Sequence, residues 1–233
     1  MTQHHYRVKG CTLNALGRKD KTTDISNFRR EYLKSGLERK DLLTDPMAQF
    51  SHWFNQAKDT GILDPNAMVL ATVSKEGKPS QRTVLLKYYD ENGFVFFTNQ
   101  KSRKAKEISE NNQVNLHFLW LELERQISIS GSAKAITAAE SARYFITRPR
   151  DSQIAAWVST QSSKISSRQL LLKSFSDMKA KFGKGDIPLP SFWGGYRVEP
   201  ATIEFWQGRK NRLHDRFLYQ HKDGKWAVER LAP

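Results

Sequence analysis

Two spacings of apolar residues alternate along the chain, and the points where one gives way to the other mark the elements. Residues 1–23 carry no periodicity and read as a flexible basic leader; Asp24 then stands where it can cap a short helix through Phe28, Tyr32 and Leu33, opening an ordered domain over 24–233. Asp45 before Pro46 supplies an N-cap acceptor and a proline at the first helical position. Phe50, Trp53, Phe54 and Ala57 follow as one apolar helix face, and Gly61 is a stop. From Ala67 the period shortens. AMVLATV, QRTVLLKYY and GFVFFTN are runs of β-branched and aromatic residues separated by KEGKP and DENG, and they predict consecutive antiparallel strands.

A short helix is expected over 103–109, then two more strands, VNLHFLW and QISISGSAKAI, the second alternating Ile127, Ile129 and Ala133 with polar neighbours. Thr137 with Glu140 three places on forms a capping box for a helix through Tyr144 and Phe145 that Pro149 stops. Helices are expected over 151–158 and 165–182, the latter with Leu171, Leu172, Phe175 and Met178 as its buried stripe. WGGYRV, TIEFWQG, DRFLYQH and KWAVERL return the chain to strands, the last two joined at KDG. Strands, inserted helices and strands again, without regular βαβ alternation, predict an α+β domain built on an antiparallel barrel or sheet.

Composition narrows the chemistry. The 233 residues, 38% hydrophobic, can bury a core as one domain, and no apolar run approaches the ~18 residues of a membrane span. The polar, basic start lacks an apolar signal core, so a cytoplasmic location is expected. Cys11 is the only cysteine, which excludes an intrachain disulfide. The six histidines show no HExxH spacing, and no metal is expected. GxGxxG, GxxxxGK[ST] and GxSxG are all missing, which argues against a dinucleotide fold, a P-loop and a serine nucleophile elbow. The net charge of +14 suggests anionic ligands, whether nucleic acid, lipid or a phosphorylated small molecule. Much of it, around 173–184 and in the leader, is explained as solvated surface.

Four clusters are not so explained. In EFWQGRKNRLHDRF, continued strand period would turn Arg212, His214 and Arg216 to one side beside Trp206, a cationic face for an anionic ring; the plain alternative is a surface strand whose charges pair with Asp215 and Glu204. Arg82 and Lys87 bracket Val84, Leu85 and Leu86. Arg103 and Lys104 begin the short helix, where free N–H groups and the helix dipole favour an anion. Tyr144, Arg148, Arg150, Ser152, Gln161 and Ser162 mix hydroxyl, amide and guanidinium donors suited to phosphate oxygens. Each of these also admits a structural reading as a charged helix face or an ordinary cap. FRREY, taken alone, is an amphipathic helix with a charged exterior, and His117 reads as a structural strand residue.

The run EFWQG-xxx-RLHDR resembles the signature of pyridoxamine 5′-phosphate oxidases. So do RRE-Y-x-K-x-G-L, QR-x-VLLK, FFTN-xx-SRKA, LERQ, RPRDSQI-x-AWVS-x-QSS and PLPSFWGG, in the family's order from Arg29 to the terminal RLAP. The resemblance implies an FMN-binding split β-barrel of Greek-key type with surrounding helices, and a homodimer with FMN sites at its interface. It implies O2 as electron acceptor, with pyridoxamine 5′-phosphate or pyridoxine 5′-phosphate oxidised to pyridoxal 5′-phosphate by hydride transfer from substrate C4′ to flavin N5. The amine would also release ammonia, and hydrogen peroxide would form in both cases.

Carried over by position, Arg82, Thr83, Val84, Leu85, Leu86, Lys87, Phe97, Thr98, Arg103, Lys104, Gln126, Gln161, Ser162, Trp206 and Arg216 correspond to FMN contacts. Lys87, Tyr144, Arg148 and Ser152 correspond to substrate contacts, largely for its phosphate. Arg212 and His214, with Leu213 between them, would lie near the pyridine ring and the flavin as the catalytic pair. Arg29, Arg30, Glu31 and Tyr32 match a stretch that in the family can fold over the substrate. The sequence departs from the family at Phe97, where relatives often carry Tyr, and in the leader. Two rivals remain: another split-barrel FMN oxidoreductase and a basic nucleic-acid-binding module. The family resemblance itself implies neither a nucleic-acid nor a membrane partner.

Overall fold

One long strand changes partners halfway along, and the architecture follows from that change. The computed structural model describes residues 25–28, 30–34, 36–159 and 161–233; the leader with Cys11, Asp24 and Arg29 lie outside them. These residues divide between a short unit ending at Glu31 and a main unit, Tyr32–Pro233. The main unit holds a nine-stranded antiparallel sheet: β1 (Ala67–Val73), β2 (Pro79–Leu85), β3 (Tyr88–Asp90), β4 (Gly93–Asn99), β5 (Gln113–Trp120), β6 (Arg125–Ala135), β7 (Trp193–Gln207), β8 (Asp215–Lys222) and β9 (Lys225–Leu231). The order is β2-β1-β5-β6-β7-β4-β3, with β8 branching from β7 and β9 from β8.

WGGYRV and TIEFWQG, expected as two strands, are the halves of β7. One edge of β7 pairs with β6 from Tyr196 to Gln207; the other pairs with β4 from Trp193 to Val198 and with β8 from Thr202 to Gln207. The switch falls at Pro200, which has no N–H to give a ladder, and the β6 register shifts opposite it between Ser130 and Gly131. Gly131 is required there because a Cβ would stand 2.1 Å from the Glu199 carbonyl oxygen. QRTVLLKYY, expected as one strand, divides in two by a similar switch. Leu86 N–H still bonds to Asn66, the residue before β1, while Lys87 N–H bonds to Val95 on β4, so β2 and β3 belong to opposite ends of the strand order. The covalent chain thus closes the split barrel.

The core is filled from α1 (Pro46–Asp59), which the Asp45 side chain caps by accepting the N–H groups of Met47 and Ala48. Its Phe50, Trp53 and Ala57 are buried. The Phe50 ring meets Tyr89, Phe94 and Phe118 edge-on at 4.9, 4.8 and 5.3 Å. The remaining helices are α2 (Arg103–Glu110), α3 (Ala138–Thr147) behind the expected Thr137–Glu140 capping box, α4 (Arg150–Val158) and α5 (Arg168–Phe182). Phe145, Ile154, Ile187 and Trp193 form a second core under α3 to α5.

Two expectations are corrected here. The described residues between 25 and 34 form a turn and extended chain rather than a helix; Ile25, Phe28 and Leu33 stay exposed, and so short a helix needs a buried face to persist. Helix α5 starts at Arg168 under a Ser167 cap, and its stripe is not buried: Leu171 and Leu172 are 37% and 56% exposed, while Phe175 and Met178 are partly covered by the second core. No helix among the described residues is long and apolar enough to cross a membrane.

Replacing Asp45 by Ala removes the acceptor for two N–H groups at the start of the helix that fills the barrel. The expected cost is about 1 kcal/mol of stability, read as a lowered urea midpoint at unchanged slope. An unchanged midpoint would contradict the role given to this cap.

Candidate active site

The cation clusters gather around a cleft of about 270 Å³ between the second core and the β3–β4 hairpin. Phe97 of β4, Tyr144 of α3 and Trp193 of β7 stack in its wall, with centroids 4.1 Å apart for Phe97–Tyr144 and 5.1 Å for Phe97–Trp193. The Arg148 guanidinium lies over Trp193 at 4.9 Å and Phe145 at 5.7 Å. Burial lowers its pKa, and its Nη1 is buried without a hydrogen-bond partner. A buried guanidinium donor left unpaired in a cleft wall is a place for an anion. Lys87 lines the same cleft, while Ser152, on the first turn of α4, is half-buried and does not.

A second cationic anchor meets this cleft through Thr98 and Gln161. Lys104 Nζ donates to Thr98 Oγ1 at 3.2 Å and to Gln161 Oε1 at 3.0 Å, and Thr98 Oγ1 donates to the same amide oxygen at 2.9 Å. Its neighbour Arg103 opens α2 under the Ser102 cap and gives its N–H to Ser162 Oγ at 3.3 Å; Ser162 holds φ at +75°. Arg82 reaches the cluster from β2 and pairs at 3.2 Å with the Glu107 carboxylate. Burial pushes the Lys104 ammonium down to about 8, with Arg82 and Arg103 adding to the fall and Glu107 opposing it. Val84 on β2 and Leu86 just after it pack into the core, and Thr83 and Leu85 are exposed.

The other expected residues gather elsewhere. Gln126, Trp206 and Arg216 line a separate cleft of about 310 Å³ with His117, Ser128 and Glu204, and it shares no lining residue with the first. The rings of Trp206 and His214 are 4.5 Å apart, and Tyr32 meets His214 at 5.4 Å and Trp206 at 5.6 Å.

The expected alternation of Arg212, His214 and Arg216 on one strand is not found. Asn211 and Arg212 take left-handed φ values of 57° and 60° in a tight turn, and the strand begins only at Asp215. Arg212 and Leu213 are exposed, and Arg216 is bidentate to Glu204 at 2.7 and 3.1 Å, which raises its pKa. His214 Nδ1 accepts the Arg209 N–H at 3.1 Å; burial, then Arg212, lowers its pKa against Asp215. The neutral ring therefore carries its proton on Nε2. Arg30 and Glu31 belong to the first unit and are exposed; Arg29 is outside the described residues.

Trp193 and Glu107 escaped the residue-by-residue reading, while the sequence presents Glu204 only as a charge partner in a surface strand and His117 only as a structural strand residue. Trp193 sits inside PLPSFWGG, and His117 occupies the outward phase of β5 that Asn115 and Leu119 share. Glu107, one turn after Arg103, was legible only as an ordinary i,i+4 helix pair.

Comparison with known proteins finds the chain's relatives. Residues 54–182 match the family model described as "Pyridoxamine 5'-phosphate oxidase", and residues 193–233 match "Pyridoxine 5'-phosphate oxidase C-terminal dimerisation region". The chain is 60% identical over 211 residues to a pyridoxine/pyridoxamine 5′-phosphate oxidase of Shewanella baltica (strain OS155), covering 91% of this chain and 100% of that protein. Among solved structures it resembles PhzG from Burkholderia lata 383 in complex with tetrahydrophenazine-1-carboxylic acid, at TM-score 0.81 and 28% identity over 86% of this chain and 99% of that one. A pyridoxamine 5′-phosphate oxidase-related, FMN binding protein from Nostoc punctiforme PCC 73102 shares the fold at TM-score 0.67 and 16% identity, over 82% and 98% of the two chains.

The Lys104 environment yields a pH dependence. Folded protein releases this proton near pH 8 and the unfolded chain near 10.5, so the group's contribution to stability rises with pH across that window while the charge available to an anion falls. NMR of labelled lysines should show one residue titrating near pH 8, lost in Lys104→Arg. If every lysine titrates above pH 10, the burial argument is wrong.

Proposed function

The chain belongs to the pyridoxamine 5′-phosphate oxidase family, and on that footing we infer that it oxidises pyridoxine 5′-phosphate or pyridoxamine 5′-phosphate to pyridoxal 5′-phosphate, with FMN as cofactor and O2 as final acceptor. The observation that carries the reading is one aromatic-walled cleft served by two separate cationic anchors, Arg148 and Lys104, as two phosphorylated molecules held against each other require. The residues present fit FMN: Arg82, Arg103, Lys104, Gln161 and Ser162 offer charged and neutral donors for its phosphate, and Lys87 and the β2 backbone flank them. Bound FMN supplies a two-electron acceptor that O2 restores with release of hydrogen peroxide.

The chain's own residues bind and orient. Arg148, held flat on Trp193, is the anchor for the substrate phosphate through its unpaired Nη1, with Lys87, Tyr144 and Ser152 as further donors. Remote phosphate binding of this kind holds the reacting carbon in place without any group on the protein acting as a nucleophile. Because His214 Nδ1 already accepts the Arg209 N–H, the neutral ring offers a donor at Nε2 rather than a base, which suits orienting the substrate's ring or its C4′ substituent. Arg212, exposed on the adjoining turn, is assigned to the same ring, and Tyr32 to its cover.

The separation of the two clefts supports a homodimer in which Gln126, Trp206 and Arg216 of one subunit complete the FMN site begun by Arg82, Arg103 and Lys104 of the other. Glu204 has then a definite task, fixing the Arg216 guanidinium before FMN arrives.

Two measurements test this function. Anaerobic addition of pyridoxine 5′-phosphate to the FMN-loaded protein should bleach the flavin's visible absorption, and air should restore it; a flavin that stays oxidised would move the assignment to another split-barrel FMN oxidoreductase. Co-expression of a Lys104→Ala chain with a Trp206→Ala chain should recover activity that neither has alone, since each heterodimer keeps one intact site. No recovery despite mixed dimers would mean that a single subunit builds the site.

A further inference from the structure

We propose that Glu107 is a positioning residue for the FMN phosphate, holding Arg82 and Arg103 in the attitude in which they meet that anion. The inference rests on the assignment of the phosphate to Arg82, Arg103 and Lys104 made above. Glu107 lies on the inner face of α2, its side chain only 9% exposed. Its Oε2 accepts from Thr72 Oγ1 at 2.5 Å, from Ser80 Oγ at 2.6 Å and from Arg82 Nη2 at 3.2 Å. Its Oε1 stands 3.5 Å from Arg103 Nε. Thr72 and Ser80 are cross-strand partners on β1 and β2, so one carboxylate ties the helix that carries Arg103 to the hairpin that carries Arg82.

The alternative is a bare counter-charge that relieves repulsion among three cations and would oppose a phosphate arriving at them. The geometry favours positioning. A counter-charge needs no hydroxyl donors, whereas here two hydroxyls fix the carboxylate, and the same hydroxyls accept from Arg82, Thr72 from Nη1 and Ser80 from Nη2, both at 2.6 Å. Arg82 also gives Nη1 to the Leu70 carbonyl at 3.2 Å. A guanidinium held at so many points cannot turn away between ligands; with its four Nη–H donors engaged, it meets the anion through its Nε–H and its fixed charge, without reorganisation. Burial works to raise the Glu107 pKa, but the bonds from Ser80, Thr72 and Arg82 outweigh it and the pKa is lowered, so the carboxylate is charged at neutral pH.

The test compares FMN with riboflavin, the same ring system without the phosphate, using flavin fluorescence quenching on the flavin-stripped full-length chain. Glu107→Ala is expected to weaken FMN about tenfold or more and riboflavin less than about twofold, the scale of lost charge-assisted bonds. Glu107→Gln, whose amide oxygen can still take the hydroxyl donors, should lose about threefold for FMN alone. The double variant Arg82→Ala/Glu107→Ala should lose less FMN affinity than the two single losses multiplied together, because Glu107 acts in part through Arg82, the remainder acting through Arg103. Unchanged or tighter FMN binding in Glu107→Ala would overturn the proposal in favour of a counter-charge, and equal losses for both flavins would reduce Glu107 to general packing. Should the alanine variant not fold, Glu107→Gln must show the selective loss or the proposal fails. If Arg82→Ala leaves the preference for FMN over riboflavin intact, the phosphate assignment itself is wrong, a result distinguishable from failure of Glu107 alone.

Discussion

Backbone hydrogen bonds must be satisfied along both edges of a strand buried within a sheet, and β7, with fifteen residues, meets that demand with three partners. Its first half shares β4 with the hairpin that bears Phe97 and Thr98; its second half shares β8 with the turn that bears Arg212 and His214. Pro200 and the Gly131 bulge make the exchange possible, one by withholding a donor and the other by admitting a carbonyl oxygen where a side chain would stand. Both clefts therefore hang on the same strand. Trp193 at its start supports Arg148, and Trp206 near its end stacks on His214. What divides the candidate site into two halves within one chain is the length of this strand.

Charge is managed differently in those halves. In the second, the Arg216 guanidinium that lines the cleft is matched by Glu204 beside it. In the first, Arg82, Arg103 and Lys104 share a single carboxylate, and Arg148 rests on aromatic faces with one donor unpaired. Burying cations beyond the number of available partners costs stability, and the lowered pKa of Lys104 is the local sign of that cost. An arrangement of this kind is consistent with a protein completed by anionic ligands, and it gives a large net positive charge a specific use rather than a diffuse one.

Local rules read correctly wherever the decisive contacts were close in sequence. The Asp45 and Thr137 caps, the alternation of β6 and the turn at Asp223–Gly224 need only a few neighbouring residues, and each is found as expected. They failed where a distant partner decided. QRTVLLKYY is uniform in composition, yet it divides at Leu86 because its two ends belong to opposite edges of the sheet. Leu171 and Leu172 have the spacing of a buried stripe, but α5 turns Phe175 and Met178 toward the second core and leaves these two largely in solvent. RLHDR alternates on paper, and the left-handed pair Asn211 and Arg212, the second of them its own first residue, sets the phase instead.

The sequence by itself determined which residues could carry the chemistry, because a run such as RPRDSQI or SRKA keeps its donors whatever the chain does around it, and family membership follows from those runs. It determined the fold class for the same reason, since periodicity is a local property. Only the tertiary structure decided how the donors combine: that Glu107 joins Arg103 on a helix to Arg82 on a strand, that Trp193 carries Arg148, that Glu204 holds Arg216, and that the residues proposed as FMN contacts divide between two clefts. The physical reason is that each of these depends on strand pairing between segments far apart in the chain, and the pairing is set by the summed hydrogen bonds and packing of the whole sheet rather than by any one segment.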